Sequence, residues 1–170
     1  MTHLLEQTGR ALRAASLLLA GAGGVTLLSM LLLVCANIVL RPLNGGVRGT
    51  MELSGYLCAL AVGLCMPAAQ LAGSHIAAGL WAHRLPRRAL HVQRALCSLF
   101  AACLLAAAGM EIVGVAEYAD MMGEYIDGFD FSYALPAVGL ALGLFTHAAI
   151  FLHALLCALF RPGIEYGRVH

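Results

Sequence analysis

The 170-residue chain is 61% hydrophobic and only 11% charged, an apolar share well above the roughly 45–50% of soluble domains, which excludes an ordinary water-soluble fold. The net charge of +1 gives no indication of a nucleic-acid partner, and what matters in so apolar a chain is where the basic residues fall. The apolar residues form four long runs, leaving loops too short for a separate catalytic domain, so the expected fold class is an all-α integral membrane four-helix bundle in which residues 1–170 form a single membrane domain.

No charged residue interrupts residues 14–40, a run of 27 residues that makes a helix of about 40 Å. It continues through Leu31, Leu32 and Leu33 without a small-residue cleavage site, which reads as a retained first span and not a signal peptide. The segment Arg41-Pro42-Leu43-Asn44-Gly45-Gly46 is expected to stop it, through a proline that lacks an N–H and a turn-forming Asn-Gly-Gly. Helix two is expected over about 52–73 with Pro67 inside it. Residues 74–85 then read as a short interfacial segment, anchored at headgroup level by Trp81 and ended by Pro86. Helix three is placed at about 88–116 and helix four at about 132–160, with Pro136 in its first turn and Pro162 beyond its end.

All ten basic residues other than histidine are arginines, and their placement sets the orientation. With both termini in the cytoplasm, Arg10, Arg13, Arg84, Arg87, Arg88, Arg94, Arg161 and Arg168 lie inside, and only Arg41 and Arg48 lie outside. The connection between helices three and four is then external. It carries Glu117, Asp120, Glu124, Asp127 and Asp130 without one basic residue, interleaved with Tyr118, Tyr125, Ile126 and Phe129. Carboxylates that steer a basic partner, beside apolar side chains that supply contact area, suit a docking surface; a solvated connector is the plainer reading.

Few residues in the spans could carry chemistry. The six cysteines, Cys35, Cys58, Cys65, Cys97, Cys103 and Cys157, form no C-x-x-C pair and read as small hydrophobes. His147 and His153 are six apart on helix four and diverge on a helix of 3.6 residues per turn, which argues against paired haem ligands. No zinc, nucleophile-elbow or phosphate-loop motif occurs, so no cofactor and no enzymatic activity are expected. A stand-alone ion-coupled exporter would keep an ionisable residue such as a carboxylate near the midplane, and here Asn37, Gln70 and the two helix-four histidines are the only strongly polar residues in or near the apolar zones. Asn37 and Arg41 share a face at the end of helix one, and Glu52 opens helix two across the turn, where an Arg41–Glu52 pair would pin the first hairpin.

Several short motifs resemble one family. Asn37-Ile38-Val39-Leu40-Arg41 closes helix one, and Gly49-Thr50-Met51-Glu52-Leu53 opens helix two. Ala69-Gln70 follows near its end, and then Gly73-Ser74-His75-Ile76. In order and spacing, on a four-span pattern, these resemble the small permease (Q subunit, DctQ-like) family of tripartite ATP-independent periplasmic (TRAP) transporters. The family's acidic residue shortly after the histidine is absent, since the chain reads His75-Ile76-Ala77-Ala78-Gly79. The resemblance implies a noncatalytic scaffold subunit in a bacterial inner membrane, surrounded by membrane lipid. It also implies a larger permease that takes up a small organic acid with a cation gradient, and a periplasmic solute-binding protein. Asn37, Arg41, Glu52 and His75 would then serve hairpin or subunit contact, and Glu117, Asp120, Glu124, Asp127 and Asp130 binding-protein docking. The competing readings are a four-helix subunit of a haem-bearing redox complex and a small exporter acting alone.

The arginine bias predicts that a reporter fused near Gly123 is external and one fused near Arg87 cytoplasmic. The opposite labelling would overturn the topology.

Overall fold

The structure, a computed structural model, describes residues 2–72, 86–125 and 132–160. Four helices account for nearly all of them: α1 (Thr2–Asn44), α2 (Thr50–Leu71), α3 (Arg87–Met122) and α4 (Ala134–Phe160). Each contains a stretch long and apolar enough to cross a membrane. The expected interfacial segment, with His75 and Trp81, lies outside the described residues.

The helix ends depart from the sequence expectation in ways the backbone explains. The first helix has 43 residues, about 65 Å of helix against a hydrocarbon core of about 30 Å. It begins twelve residues earlier than the apolar run because its first turns dock on α4, where His153 Nε2 donates to the Leu5 carbonyl at 2.9 Å. At the other end Pro42 lies inside the helix and does not stop it. In the last turn a proline costs a single ladder bond, and termination falls instead to Gly45 and Gly46, at φ 81° and 86°. Similarly α3 runs to Met122, six residues past the expected end, because Ala116 and Ala119 continue its buried face. Gly123 closes it at φ 63°, a left-handed conformation that glycine adopts without steric cost.

α4 contacts all three other helices, α1 packs mainly on α2, and α3 is held chiefly through α4. Glycines make the close crossings. A Cβ on Gly143 would run into the Gly63 backbone, one on Gly63 into Leu140, and one on Gly139 into the end of Leu60, so α2 and α4 meet almost backbone to backbone. Where α1 crosses α2, a Cβ on Gly23 would sit 2.6 Å from Cys65 Sγ and 3.1 Å from the Ala61 carbonyl oxygen. Small residues that let helices approach are the usual means of association in lipid, where apolar burial gives little drive. Of the small-residue series visible in the sequence, Gly63, Gly139 and Gly143 are used in this way. Gly55 faces open space and Ala59 is exposed.

Polar side chains in the spans are mostly satisfied within their own helix. Ser16 Oγ donates to Leu12 O at 2.7 Å, Thr26 Oγ1 to Gly23 O at 2.8 Å and Thr146 Oγ1 to Leu142 O at 2.8 Å. A hydroxyl turned back on the preceding turn leaves no unmet donor in hydrocarbon. In mid-span, association among the described helices therefore rests mainly on packing.

Two alanine substitutions separate packing from helix propensity. Gly143→Ala is expected to destabilise the protein by about 1–3 kcal/mol, because the new methyl must displace α2 backbone. Gly55→Ala, into open space, should be neutral or stabilising. Thermal unfolding in detergent measures both, and an equal response would show that the α2–α4 crossing is not close-packed.

Candidate subunit-contact surfaces

The helices alternate in direction, so α1 and α3 finish at the end where α2 and α4 begin. At this hairpin end Asn37 has a defined task. Its Oδ1 accepts from the Val47 backbone N–H at 2.8 Å, tying the turn after Gly46 back onto α1. A Cβ on Gly46 would lie 2.8 Å from that oxygen and 3.8 Å from Arg41, so Asn37 and Arg41 do share the face beneath the turn. Thr50, buried at the start of α2, donates through Oγ1 to Val47 O at 2.6 Å and closes the turn from the other side.

Glu52 is not joined to Arg41 by an ion pair among the described residues. Its carboxylate instead accepts from the Tyr133 hydroxyl at 2.9 Å, across to the start of α4. The rings of Tyr56 and Tyr133 stand 4.9 Å apart at 57°. Glu52, Tyr56 and Tyr133 thus clasp α2 to α4 about two turns beyond the glycine crossing, and Arg41 remains exposed. The sequence reading paired Glu52 with Arg41, across the turn that joins the two helices. The actual partner is 81 positions away, on a helix whose placement only the fold supplies.

The acidic residues divide between helix and connection. Glu117 and Asp120 lie on the last turns of α3, three apart and exposed, beside buried Ala116 and Ala119. Glu124 follows the capping glycine, and its carbonyl accepts from Tyr133 N–H at 3.4 Å while Tyr125 and Ser132 form a single antiparallel bridge. The connection is therefore pinched at its base beside the Glu52–Tyr133 bond. Tyr118, Met121, Met122 and Tyr125 are exposed around these carboxylates. Met51, at the start of α2, is 87% exposed, which adds a further adaptable apolar contact at this end. Asp127, Asp130, Ile126 and Phe129 lie outside the described residues, as does His75.

The histidines of α4 are buried. His147 stacks on Phe151 with ring centroids 5.2 Å apart and 9° between planes. His153, besides its bond to Leu5, has Cys157 Sγ 3.9 Å from Nδ1. A carbonyl only accepts, so Nε2 of His153 carries the proton and is engaged in helix docking.

A family model described as the DctQ component of tripartite ATP-independent periplasmic transporters matches residues 30–161, from the middle of α1 to the end of α4. No match was found among curated proteins or among solved structures.

Glu52 and Tyr133 both fall within the matched segment, and their bond has a titration signature. The hydrogen bond to Glu52, reinforced by repulsion between a phenolate and that carboxylate, pushes the Tyr133 pKa up to about 12. A raised pKa means that the bond's contribution is complete below the unfolded value of about 10 and is lost as pH rises through about 12. Glu52→Gln should bring this ionisation back towards about 10, read as phenolate absorbance, with Tyr133→Phe identifying the tyrosine concerned. An unchanged titration in Glu52→Gln would refute the pairing.

Proposed function

The chain belongs to the family of DctQ components, the small membrane subunits of tripartite ATP-independent periplasmic transporters, and we propose that it is the noncatalytic scaffold of such a transporter. The family functions with a large permease and a binding protein. In this reading both termini are cytoplasmic and the membrane is the bacterial inner membrane. The partner permease moves a small organic acid with a cation gradient, and the periplasmic binding protein delivers it.

The observation that carries the proposal is the family match over 30–161, which covers the hairpin end and three complete spans. Two features of the chain support a scaffold role. α1, α2 and α4 hold no charged side chain near their middle, so the solute and the coupling ion are bound elsewhere. The outward faces of α1 and α3 are strongly apolar, with Leu18 76% and Phe100 71% exposed, which suits burial against lipid and a large membrane partner.

The hairpin end has two contact roles in this proposal. Asn37, Arg41 and Glu52 form the side that meets the large subunit, where exposed Arg41 supplies a charge that the first hairpin does not itself use, and His75, which follows the far end of α2 in the chain, is a separate contact with that subunit. Glu117, Asp120 and Glu124, with Asp127 and Asp130, form the side that meets the binding protein. The arginine bias supports placing this end in the periplasm.

Coexpressed with its large subunit, the chain should copurify with it from detergent-solubilised membranes. In that assembled complex, replacing Asp120, Glu124 and Asp127 by amides should raise the binding-protein concentration needed for half-maximal uptake. The effect should be greatest at low ionic strength, where screening is weakest. Failure to copurify would remove the scaffold role. The same concentration dependence at low and high salt in an assembled complex would reduce the acidic segment to a connector.

A further inference from the structure

Along the chain Glu111 stands just past the apolar stretch 95–110, where it reads as part of a polar extension of helix three. The fold puts it deeper. α3 touches α4 at Gly109, where a Cβ would come 2.9 Å from Cε1 of Phe145. The two helices run antiparallel, so two residues onward in α3 correspond to two residues back in α4, and Glu111 comes level with Gly143 at the crossing. Ten residues of α4, Ala134 to Gly143, separate that level from the Glu52–Tyr133 bond. They make about 15 Å of helix, half of a hydrocarbon core of about 30 Å. Helical side chains lean towards the N-terminus of their helix, which for α3 carries the carboxylate away from the nearer surface.

Two positions on a helix are about 200° apart, so Glu111 faces away from α4, the helix through which α3 is chiefly held. It is exposed and makes no hydrogen bond or ion pair with the described residues. The α3 surface around it is low. Ala107, Ala108 and Gly114 are all exposed, and a Cβ on Gly114 would meet nothing within 4 Å. Small residues let a neighbouring helix come close, and a polar side chain among them can bond across to it. A carboxylate at this depth needs a donor or a cation. Lipid chains offer neither, and a soluble protein does not reach so far in. A second copy inserted in the same orientation presents its own Glu111 at the same level, where like charges repel. The occupant left is a different membrane helix with a basic side chain at mid-depth, and the scaffold role proposed above, on which this inference rests, supplies a membrane partner. We propose that Glu111 is a mid-membrane anchor for the large subunit, its carboxylate paired with an arginine or lysine on a transmembrane helix that lies against Ala107, Ala108 and Gly114.

The test is the affinity of the labelled full-length chain for its large subunit in detergent, followed by fluorescence, beside thermal unfolding of the isolated chain. Glu111→Gln and Glu111→Leu should each weaken association at least roughly tenfold, because both leave the partner's cation unpaired. Gly114→Leu, which raises the low face without changing the charge, should weaken it as well. In isolation Glu111→Leu should unfold at or above the wild-type temperature, so that lost association is not lost folding. Unfolding well below wild type would instead place Glu111 in the chain's own packing and overturn the proposal. Wild-type affinity in both Glu111 variants would also overturn it, and wild-type affinity in Glu111→Gln alone would refute the pairing with a cation. A dimer of the isolated chain that Glu111→Leu abolishes would make the occupant a second copy, against the proposal. If the wild type itself does not associate, the scaffold role fails and the anchor with it, whereas association that ignores Glu111 removes the anchor alone.

Discussion

The near-contact of backbone with backbone at Gly63 and Gly143 is the constraint on which the rest of the molecule depends. α4 is the helix that touches all the others, and α2 is the one through which α1 mainly joins them. Their crossing fixes the relative depth and rotation of the helices. A larger side chain at Gly143 would separate the two backbones and weaken the dispersion contacts that hold helices together where lipid is as apolar as leucine. The clasp of Glu52, Tyr56 and Tyr133 and the bond from His153 to Leu5 lie at opposite ends of α4, so each is in register only if the crossing is.

Polar groups are arranged to match. In mid-span, hydroxyls bond to their own helix, which avoids a penalty in hydrocarbon but gives no cross-helix specificity. Apart from a weak contact of Cys65 Sγ with the Ala20 carbonyl at 3.9 Å, polar contacts between elements gather at the ends, where water and headgroups can serve any group left over: Asn37 to Val47 in the turn, Tyr133 to Glu52, and His153 to Leu5. A bundle built this way has rigid ends and an apolar waist charged only at Glu111. That is the surface expected of a subunit that works by lying against a larger membrane protein.

The two ends differ chemically. One gathers carboxylates, tyrosines and methionines around two tight turns. The other carries the arginines of α1. The first suits recognition by a soluble protein, because charge steers an encounter and exposed aromatics hold it. The second suits the headgroup region of a bilayer.

The sequence by itself determined the number of spans, their order and their approximate limits, because four uninterrupted apolar runs admit no other solvent and the bilayer thickness sets how long each must be. It also carried the family, through motifs between Asn37 and His75 that lie within the matched segment. Gly123 was a legible stop for α3, yet the sequence reading carried the helix past its apolar part only to about residue 116, since the buried face that Ala116 and Ala119 continue is seen only in the fold. Tertiary structure decided what no local pattern encodes: that the helix carries through Pro42, that Glu52 faces Tyr133 and not Arg41, and that the charged first turns of α1 stay helical against His153. The division has a physical cause. Transfer into lipid is a sum over residues and can be read along the chain, whereas a contact between helices depends on rotation and depth, which are fixed only when glycine meets glycine at the crossing.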